Sequence, residues 1–108
     1  MKGVKTLEEV KFSEEKVQKV WEKGEIVSDH PERWRKDECK AWIGRKEYGD
    51  RNSDWGWEIH HIVPESEGGT DDLYNLCPLQ WKNNVATGDS RRIICVVKAS
   101  GNDNVRVS

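Results

Sequence analysis

Apolar residues at helical spacing predict an amphipathic helix near the start of the chain. Val17, Val20 and Trp21 follow the i, i+3, i+4 spacing that places side chains on one face of a helix. Ser13 precedes two acidic residues, as helix N-caps commonly do, and Gly24 follows the stripe as a typical C-terminal residue. We therefore expect a helix that begins after Ser13, ends at Gly24 and packs its apolar stripe against a core.

Apolar runs bounded by turn residues predict strands further along the chain. The clearest is Trp57–Val63, which Pro64 stops because proline donates no backbone hydrogen bond to a sheet. A second helix is expected over Trp81–Gly88, where the glycine closes it. The pattern predicts further extended stretches at residues 26–27, 73–79, 92–97 and 105–107.

Two short stretches before residue 50 have less regular patterns. Pro31 suits the first position of a helix, so residues 31–36 are predicted to form a helical turn. Ala41–Ile43 is apolar and short, and both a strand and a buried helical turn fit it. Since helices and strands both occur, the sequence predicts an α+β domain with an N-terminal helix and extra C-terminal β-strands.

The chain is short and polar, which favours one domain with a small core. It has 108 residues, of which 35% are charged and 34% are hydrophobic. No run approaches the about 18 apolar residues that a membrane helix needs. Met1–Lys5 leads into Thr6–Glu9 without an apolar stretch. The sequence therefore predicts no secretory leader, a cytoplasmic location and no membrane partner.

Tryptophan and cysteine bear on how the core is built. Six tryptophans accompany one phenylalanine and one methionine, which favours their use as core bulk over stacking on nucleic-acid bases. The three cysteines, Cys39, Cys77 and Cys95, are widely spaced and form no Cys-x-x-Cys pair. We therefore expect buried reduced thiols rather than a disulfide framework or a zinc site.

Charge is unevenly distributed, although the formal net charge is only −2. Residues 52–81 carry six acids and no lysine or arginine. Basic residues outnumber acids by seven to five over residues 30–51 and by four to one over residues 82–98. A run of acids is usually a solvated surface. We expect this of the four acids that follow Pro64, which are Glu65, Glu67, Asp71 and Asp72.

Two adjacent histidines on the predicted strand 57–63 are the main candidates for chemistry. Strand alternation sends His60 and His61 to opposite sides, so they are poorly placed to chelate one metal ion together. They are well placed to divide the work, one binding a divalent cation and the other acting as a general base. The alternative is a pair of surface histidines without a function.

The surroundings of these histidines closely resemble the HNH family of nucleases. The resemblance lies in residues 57–64, 68–69, 71–76, 78–79 and 84–89. Residues 34–37, 42–43 and 48–49 also resemble what precedes the motif in small free-standing HNH proteins. The resemblance implies a ββα-metal core, two strands and a helix around one divalent ion. Residues 1–108 are accordingly predicted to form a single HNH nuclease domain with its core motif at residues 57–89.

The resemblance also implies a role for each motif residue. His60 falls where the family places its first metal ligand, and His61 falls on the general base. Asn75 matches the asparagine that braces the loop between the two strands through backbone hydrogen bonds. Asn84 matches the metal ligand on the helix, and Asn83 fits that register less well. The implied cofactor is one divalent metal ion, which is Mg, Mn or Zn.

The sequence departs from the family pattern in three ways. The family most often has Asp at the position of His60, and an imidazole softens the site toward transition metals. Thr87 stands where the family often has a lysine, which removes a phosphate contact. The zinc-binding cysteine pairs that many relatives carry are absent from the sequence, so packing must supply the stability.

The implied function is a metal-dependent endonuclease that hydrolyses DNA, nicking it with low sequence specificity. The partner would be DNA, and the protein itself a monomer or a homodimer. The alternatives are a non-catalytic metal- or DNA-binding module and a nuclease acting on RNA or single strands. The intact set of motif residues favours an enzyme, because a module that no longer cuts has no use for the base. Candidate nucleic-acid-binding residues are Arg45, Arg51, Lys82, Arg91 and Arg92.

Overall fold

The structure is a computed structural model that describes residues 11–107. The leader prediction rests on residues 1–9, which lie outside this range, and the cytoplasmic location stays a prediction. Among the described residues, no helix is long and apolar enough to cross a membrane.

Helices and short antiparallel strand pairs alternate along the chain, which confirms the α+β class. The strands pair as β1 with β2, β3 with β4, and β5 with β6, each pair antiparallel. Single turns of 3-10 helix lie at Arg45–Glu47, Glu65–Glu67 and Leu73–Asn75. In chain order the helices and strands are α1 (Glu14–Trp21), β1 (Trp34–Lys36), β2 (Trp42–Gly44), β3 (Trp57–His61), β4 (Leu76–Gln80), α2 (Trp81–Thr87), β5 (Val97–Ser100) and β6 (Asp103–Arg106).

Helix α1 covers the core as its apolar stripe predicts. The Ser13 side chain accepts a hydrogen bond from the Lys16 N–H and so caps the helix. Trp21 is fully buried, and its ring centroid lies 5.3 Å from that of Trp57 on β3. These two tryptophans therefore serve as core bulk, as predicted. The buried core cluster is Phe12, Val17, Val20, Trp21, Ile43, Trp57, Ile59 and Leu76.

Strands β3 and β4 lead directly into α2. In their register His60 pairs with Cys77 and His61 with Leu76. Gln80, the last residue of β4, caps α2, since its side-chain oxygen accepts from the backbone N–H groups of Lys82 and Asn83. The chain therefore passes from β4 into α2 without a loop, which fixes the helix against the strand that carries the histidines.

A buried carboxylate joins this unit to the β1–β2 turn. Asp37 is 2% exposed. Its Oδ2 accepts from Gln80 N at 2.9 Å and from Asn83 Nδ2 at 3.1 Å, and its Oδ1 accepts from the backbone N–H groups of Cys39 and Ala41. Burial raises the pKa of Asp37, and these four hydrogen bonds oppose the shift. Asp37 therefore fixes the start of α2 to the β1–β2 turn.

Two secondary-structure predictions are wrong, and a third, the extended stretch at residues 73–79, is correct only from Leu76 onward, because Leu73–Asn75 is a turn of 3-10 helix. Residues 34–36 form the strand β1 rather than a helical turn, because their backbone pairs with β2, which is itself a strand. Residues 92–96 are not a strand, because the backbone N–H groups of Ile94 and Val96 bond side chains of α2 and not another strand. Thr87 Oγ1 accepts from Ile94 N at 2.9 Å, and Asn83 Oδ1 accepts from Val96 N at 2.7 Å. The C-terminal hairpin is present as β5 and β6.

The prediction of three reduced thiols is wrong for two of them. Cys39 and Cys95 form a disulfide across a sequence separation of 56, with their Cα atoms 5.5 Å apart. Cys77 is the free cysteine, and burial raises the pKa of its thiol to about 12. Widely spaced cysteines give no pairing signal, since the fold alone brings the β1–β2 turn and the segment before β5 together.

Candidate active site

His60 lies on the buried side of β3, against α2. It is 5% exposed, and its Nδ1 lies 3.1 Å from Oδ1 of Asn84 on α2. Burial lowers the pKa of His60, which the hydrogen bond to Asn84 opposes. The neutral imidazole is the form that binds a metal ion. The two candidate metal ligands of the sequence analysis therefore face each other where β3 contacts α2.

An ion pair with a buried carboxylate fixes the amide of Asn84. Glu58, two residues before His60 on the same face of β3, is 4% exposed. Asn84 Nδ2 donates to Glu58 Oε1 at 2.9 Å, which leaves Oδ1 of the amide toward His60. Arg51 donates through Nε and Nη2 to the two carboxylate oxygens of Glu58, at 2.6 and 3.0 Å. These contacts form one chain from Arg51 through Glu58 and Asn84 to His60.

Glu58 has a role that the sequence analysis did not find. A carboxylate buried this deeply requires a charged or hydrogen-bonded partner, and Arg51 supplies it with two bonds. The available signal is the placement of Glu58 and His60 two residues apart on a strand, since residues i and i+2 share a face.

His61 lies in different surroundings from its neighbour. Its side chain is 10% exposed, and its Nε2 lies 2.7 Å from Oδ1 of Asp71. The Phe12 ring lies against the imidazole, with the centroids 6.1 Å apart. The side chain of Asp71 is 50% exposed, as expected for a solvated acid, but its contact with His61 is not expected from the sequence. The hydrogen bond from His61 lowers the pKa of Asp71.

Asn75 joins the two ends of the loop between β3 and β4. It is 4% exposed. Its Oδ1 accepts from Val63 N at 2.8 Å, and its Nδ2 donates to Val63 O at 3.1 Å and to Thr70 O at 2.8 Å. These are backbone hydrogen bonds of the kind that the resemblance implies. They hold the residues just after His61 against the residues just before β4.

Asn83 and Asn84 separate into two environments. Asn83 is fully buried, and its side chain bonds Asp37, Val96 and Val97. Its amide therefore supports the fold, whereas the amide of Asn84 faces His60. Of the two helix asparagines, Asn84 is the one brought to His60.

A second set of possible ligands lies around His61. One ligand atom each from His61, Glu65 and Asp71 lies within 4.8 Å of the others. Lys11 already pairs with Glu65 at 2.8 Å, and that bond lowers the pKa of Glu65. The fold therefore offers two donor sets, one on either side of β3.

The five predicted nucleic-acid-binding residues are not gathered in one place. Arg51 bonds Glu58, and Arg45 Nε donates to Gln18 Oε1 at 2.8 Å. Arg91 pairs with Glu67 at 2.8 Å. Lys82 Nζ lies 5.5 Å from the centroid of the Trp81 ring, and Arg92 is exposed. The structure thus shows Arg51 in the contact chain of His60, and Lys82 on the same short helix as Asn84.

Comparisons with known proteins match parts of this chain to endonucleases. Residues 47–89 match the model of the HNH endonuclease family. A stretch of 32 residues is 53% identical to the protein named "Probable mobile endonuclease C" from Enterobacteria phage T4. The match covers 30% of this chain and 15% of the phage protein. No solved structure matches the chain.

Proposed function

Because residues 47–89 carry the HNH endonuclease match, we propose that this protein is a metal-dependent endonuclease that hydrolyses DNA phosphodiester bonds. The observation that carries the proposal is the contact between His60 Nδ1 and Asn84 Oδ1, 3.1 Å apart, with His61 next on the strand. The family match supports a nuclease. The metal ion, the DNA substrate and the nicking of single strands are proposed in addition. Residues 1–108 would act as a single HNH nuclease domain with a ββα-metal core at residues 57–89.

His60 and Asn84 are the residues proposed to hold the ion. Ligand atoms at neighbouring positions of one octahedral ion lie about 3 Å apart when each bond is about 2.1 Å long. The separation of 3.1 Å between the imidazole nitrogen and the amide oxygen fits this requirement. An imidazole and an amide oxygen together suit Mg, Mn or Zn. Bound there, a divalent ion would stabilise negative charge on the phosphoryl group and on the departing oxygen.

Glu58 and Arg51 are proposed to orient the ligands. Glu58 holds the NH2 group of the Asn84 amide, so that the oxygen and not the nitrogen faces His60. Arg51 neutralises the buried charge of Glu58. Mutation of a residue that orients a metal ligand typically lowers metal affinity about 10- to 100-fold, because a misdirected ligand binds the ion poorly.

His61 is the proposed general base. A neutral imidazole accepts a proton from an attacking water, and the rate then depends on how well the ring is positioned. Phe12 and Asp71 contact the ring, and Asn75 fixes the backbone that follows it. Asn75 therefore serves the reaction by positioning rather than by touching the substrate.

DNA would be held by scattered cations of the protein, with few contacts to bases. Lys82 lies on α2, two residues before Asn84, and Arg45, Arg91 and Arg92 lie outside the helix. Their number is small, and the acidic loop after Pro64 opposes a polyanion. We therefore propose nicking with low sequence specificity by a monomer or homodimer, since one site per chain cuts one strand at a time.

The decisive experiment is a plasmid-nicking assay with the purified protein. Supercoiled plasmid is incubated with Mn²⁺, Mg²⁺ or Zn²⁺, and EDTA is added to a matched sample. We expect relaxed circles with a metal ion and none with EDTA. DNA binding without cutting under every metal would identify a non-catalytic module instead. Faster cleavage of RNA or of single-stranded DNA than of plasmid would reassign the substrate.

A further inference from the structure

The loop between β3 and β4 brings a carboxylate to the histidine proposed as the base. His61 Nε2 and Asp71 Oδ1 lie 2.7 Å apart. We propose that Asp71 is a positioning residue, which accepts the Nε2–H of His61 and so leaves the lone pair of Nδ1 to take the proton of the attacking water. The inference rests on the proposed function, and it adds a residue that neither the motif nor the family match assigns.

The contact is built into the loop, because the backbone of Asp71 is held from two sides. Lys16 of α1 donates through Nζ to the carbonyl oxygen of Asp71 at 2.7 Å. Asn75 Nδ2 donates to the carbonyl oxygen of the preceding residue, Thr70, at 2.8 Å. The imidazole is likewise confined, since the Phe12 ring contacts it. An exposed acid anchored in this way pays less conformational entropy to hold its bond.

Asp71 would assist the transfer of a proton from the attacking water to His61. The attacking water gives one proton to His61 Nδ1, and its oxygen forms the new bond to phosphorus. The bond between phosphorus and the departing oxygen breaks, and that oxygen takes a proton from solvent. The imidazolium that forms donates its Nε2–H to the Asp71 carboxylate, a charge-assisted hydrogen bond that is stronger than the neutral one. His61 then returns its extra proton to solvent.

Glu65 is a matched acid that lacks this geometry. Its Oε2 lies 4.0 Å from His61 Nε2, beyond hydrogen-bond distance, and its Oε1 pairs with Lys11 at 2.8 Å. Both acids would repel DNA to a similar extent. An acid that only repels DNA lowers affinity for the substrate, so its removal should lower KM and leave kcat unchanged. Removal of an acid that positions the base should instead lower kcat and should not raise KM.

The kinetic test compares Asp71→Ala, Asp71→Asn and Glu65→Gln in the nicking assay with the full chain. We expect Asp71→Ala to lower kcat roughly 10- to 100-fold while KM stays the same or falls, since repulsion of DNA is removed. Asp71→Asn keeps an acceptor oxygen without the charge, so its kcat should lie between Asp71→Ala and wild type. Glu65→Gln should keep kcat within about twofold of wild type. If kcat of Asp71→Ala stays within twofold, or falls no further than that of Glu65→Gln, the proposal is overturned.

A second measurement does not depend on activity. Nitrogen-15 NMR of the metal-free protein distinguishes a histidine protonated at Nε2 from one protonated at Nδ1. We expect His61 of the wild type to be the Nε2–H tautomer and Asp71→Ala to show a mixture. A wild-type protein that is already a mixture, or that carries its proton on Nδ1, would overturn the inference even if it nicks plasmid. Absence of nicking with a fixed Nε2–H tautomer would instead count against the proposed function and leave the positioning contact standing.

Discussion

The two sides of strand β3 differ in how they hold a histidine. On one side His60 is buried, and its partner Asn84 is fixed in turn by the Glu58–Arg51 ion pair. On the other side His61 borders a loop whose carboxylates are exposed, and one of these, Asp71, bonds it directly. Strand alternation thus places the two proposed metal ligands in buried surroundings and the proposed base beside an exposed loop.

His61→Ala is the change that separates the two sides most sharply. We expect the nicking rate to fall about 10²- to 10⁴-fold, the usual cost of losing a general base. Metal affinity should stay close to wild type, because His61 is not one of the proposed ligands. Nicking kinetics and calorimetric titration with Mn²⁺ measure the two quantities on the same sample. A variant that cuts at nearly the wild-type rate would remove His61 from the role of base.

His60→Ala and Asn84→Ala test the buried side. Each removes a proposed ligand, so metal affinity should fall by at least about 10²-fold, beyond the usual cost of losing a residue that only orients a ligand. Titration calorimetry with Mn²⁺ or Zn²⁺ gives the affinity directly. Unchanged affinity in both variants would move the ion to the other side of β3, onto His61, Glu65 and Asp71. In that case His61→Ala, and not His60→Ala, would lower the affinity.

Asn75→Ala tests whether the hydrogen bonds of the Asn75 side chain are needed to hold the loop that follows His61. The change frees the backbone groups of Val63 and Thr70, which should cost about 1–3 kcal/mol of stability. A displacement of the base by about 1 Å is enough to cost roughly 10²-fold in rate. Thermal melting and nicking should both decline, with metal affinity falling less than in His60→Ala. Wild-type melting and wild-type cutting together would mean that Asn75 has no part in the site.

Glu58→Gln probes the smallest of the expected effects. The substitution keeps the shape of the side chain and removes the charge that Arg51 neutralises, so the Asn84 amide is held less firmly. We expect metal affinity to fall about tenfold. Glu67→Gln is the matched control, because it removes the same charge from an exposed ion pair with Arg91. Equal effects in both variants would show that overall charge, and not the orientation of Asn84, controls affinity.

Elements whose structure depends on residues close together in sequence could be predicted from the sequence. Periodicity and capping residues predict α1 and α2, and a bounded apolar run predicts β3 to within two residues. The resemblance to the HNH motif favours Asn84 over Asn83 as the ligand on the helix. In the structure the amide of Asn84 indeed faces His60, and Asn83 is buried elsewhere.

Contacts between residues distant in sequence could not be predicted in this way. The bond between His61 and Asp71 depends on how a Gly-rich loop closes, and the disulfide of Cys39 and Cys95 depends on the whole fold. Residues 92–97 show the same difficulty, since their composition suits a strand. Their backbone groups instead bond the side chains of Asn83 and Thr87, so most of this stretch has no strand partner.

The disulfide makes the candidate active site part of a covalent ring. Cys39 and Cys95 lie on either side of β3, the loop after it, β4 and α2. A protease that cuts the exposed loop at residues 65–72 would therefore release nothing, because the two pieces stay joined through the sulfurs. The histidines and Asn84 would remain at high effective concentration toward each other, so we expect the cut chain to keep its site. Only a thiol reductant would then let the two halves diffuse apart.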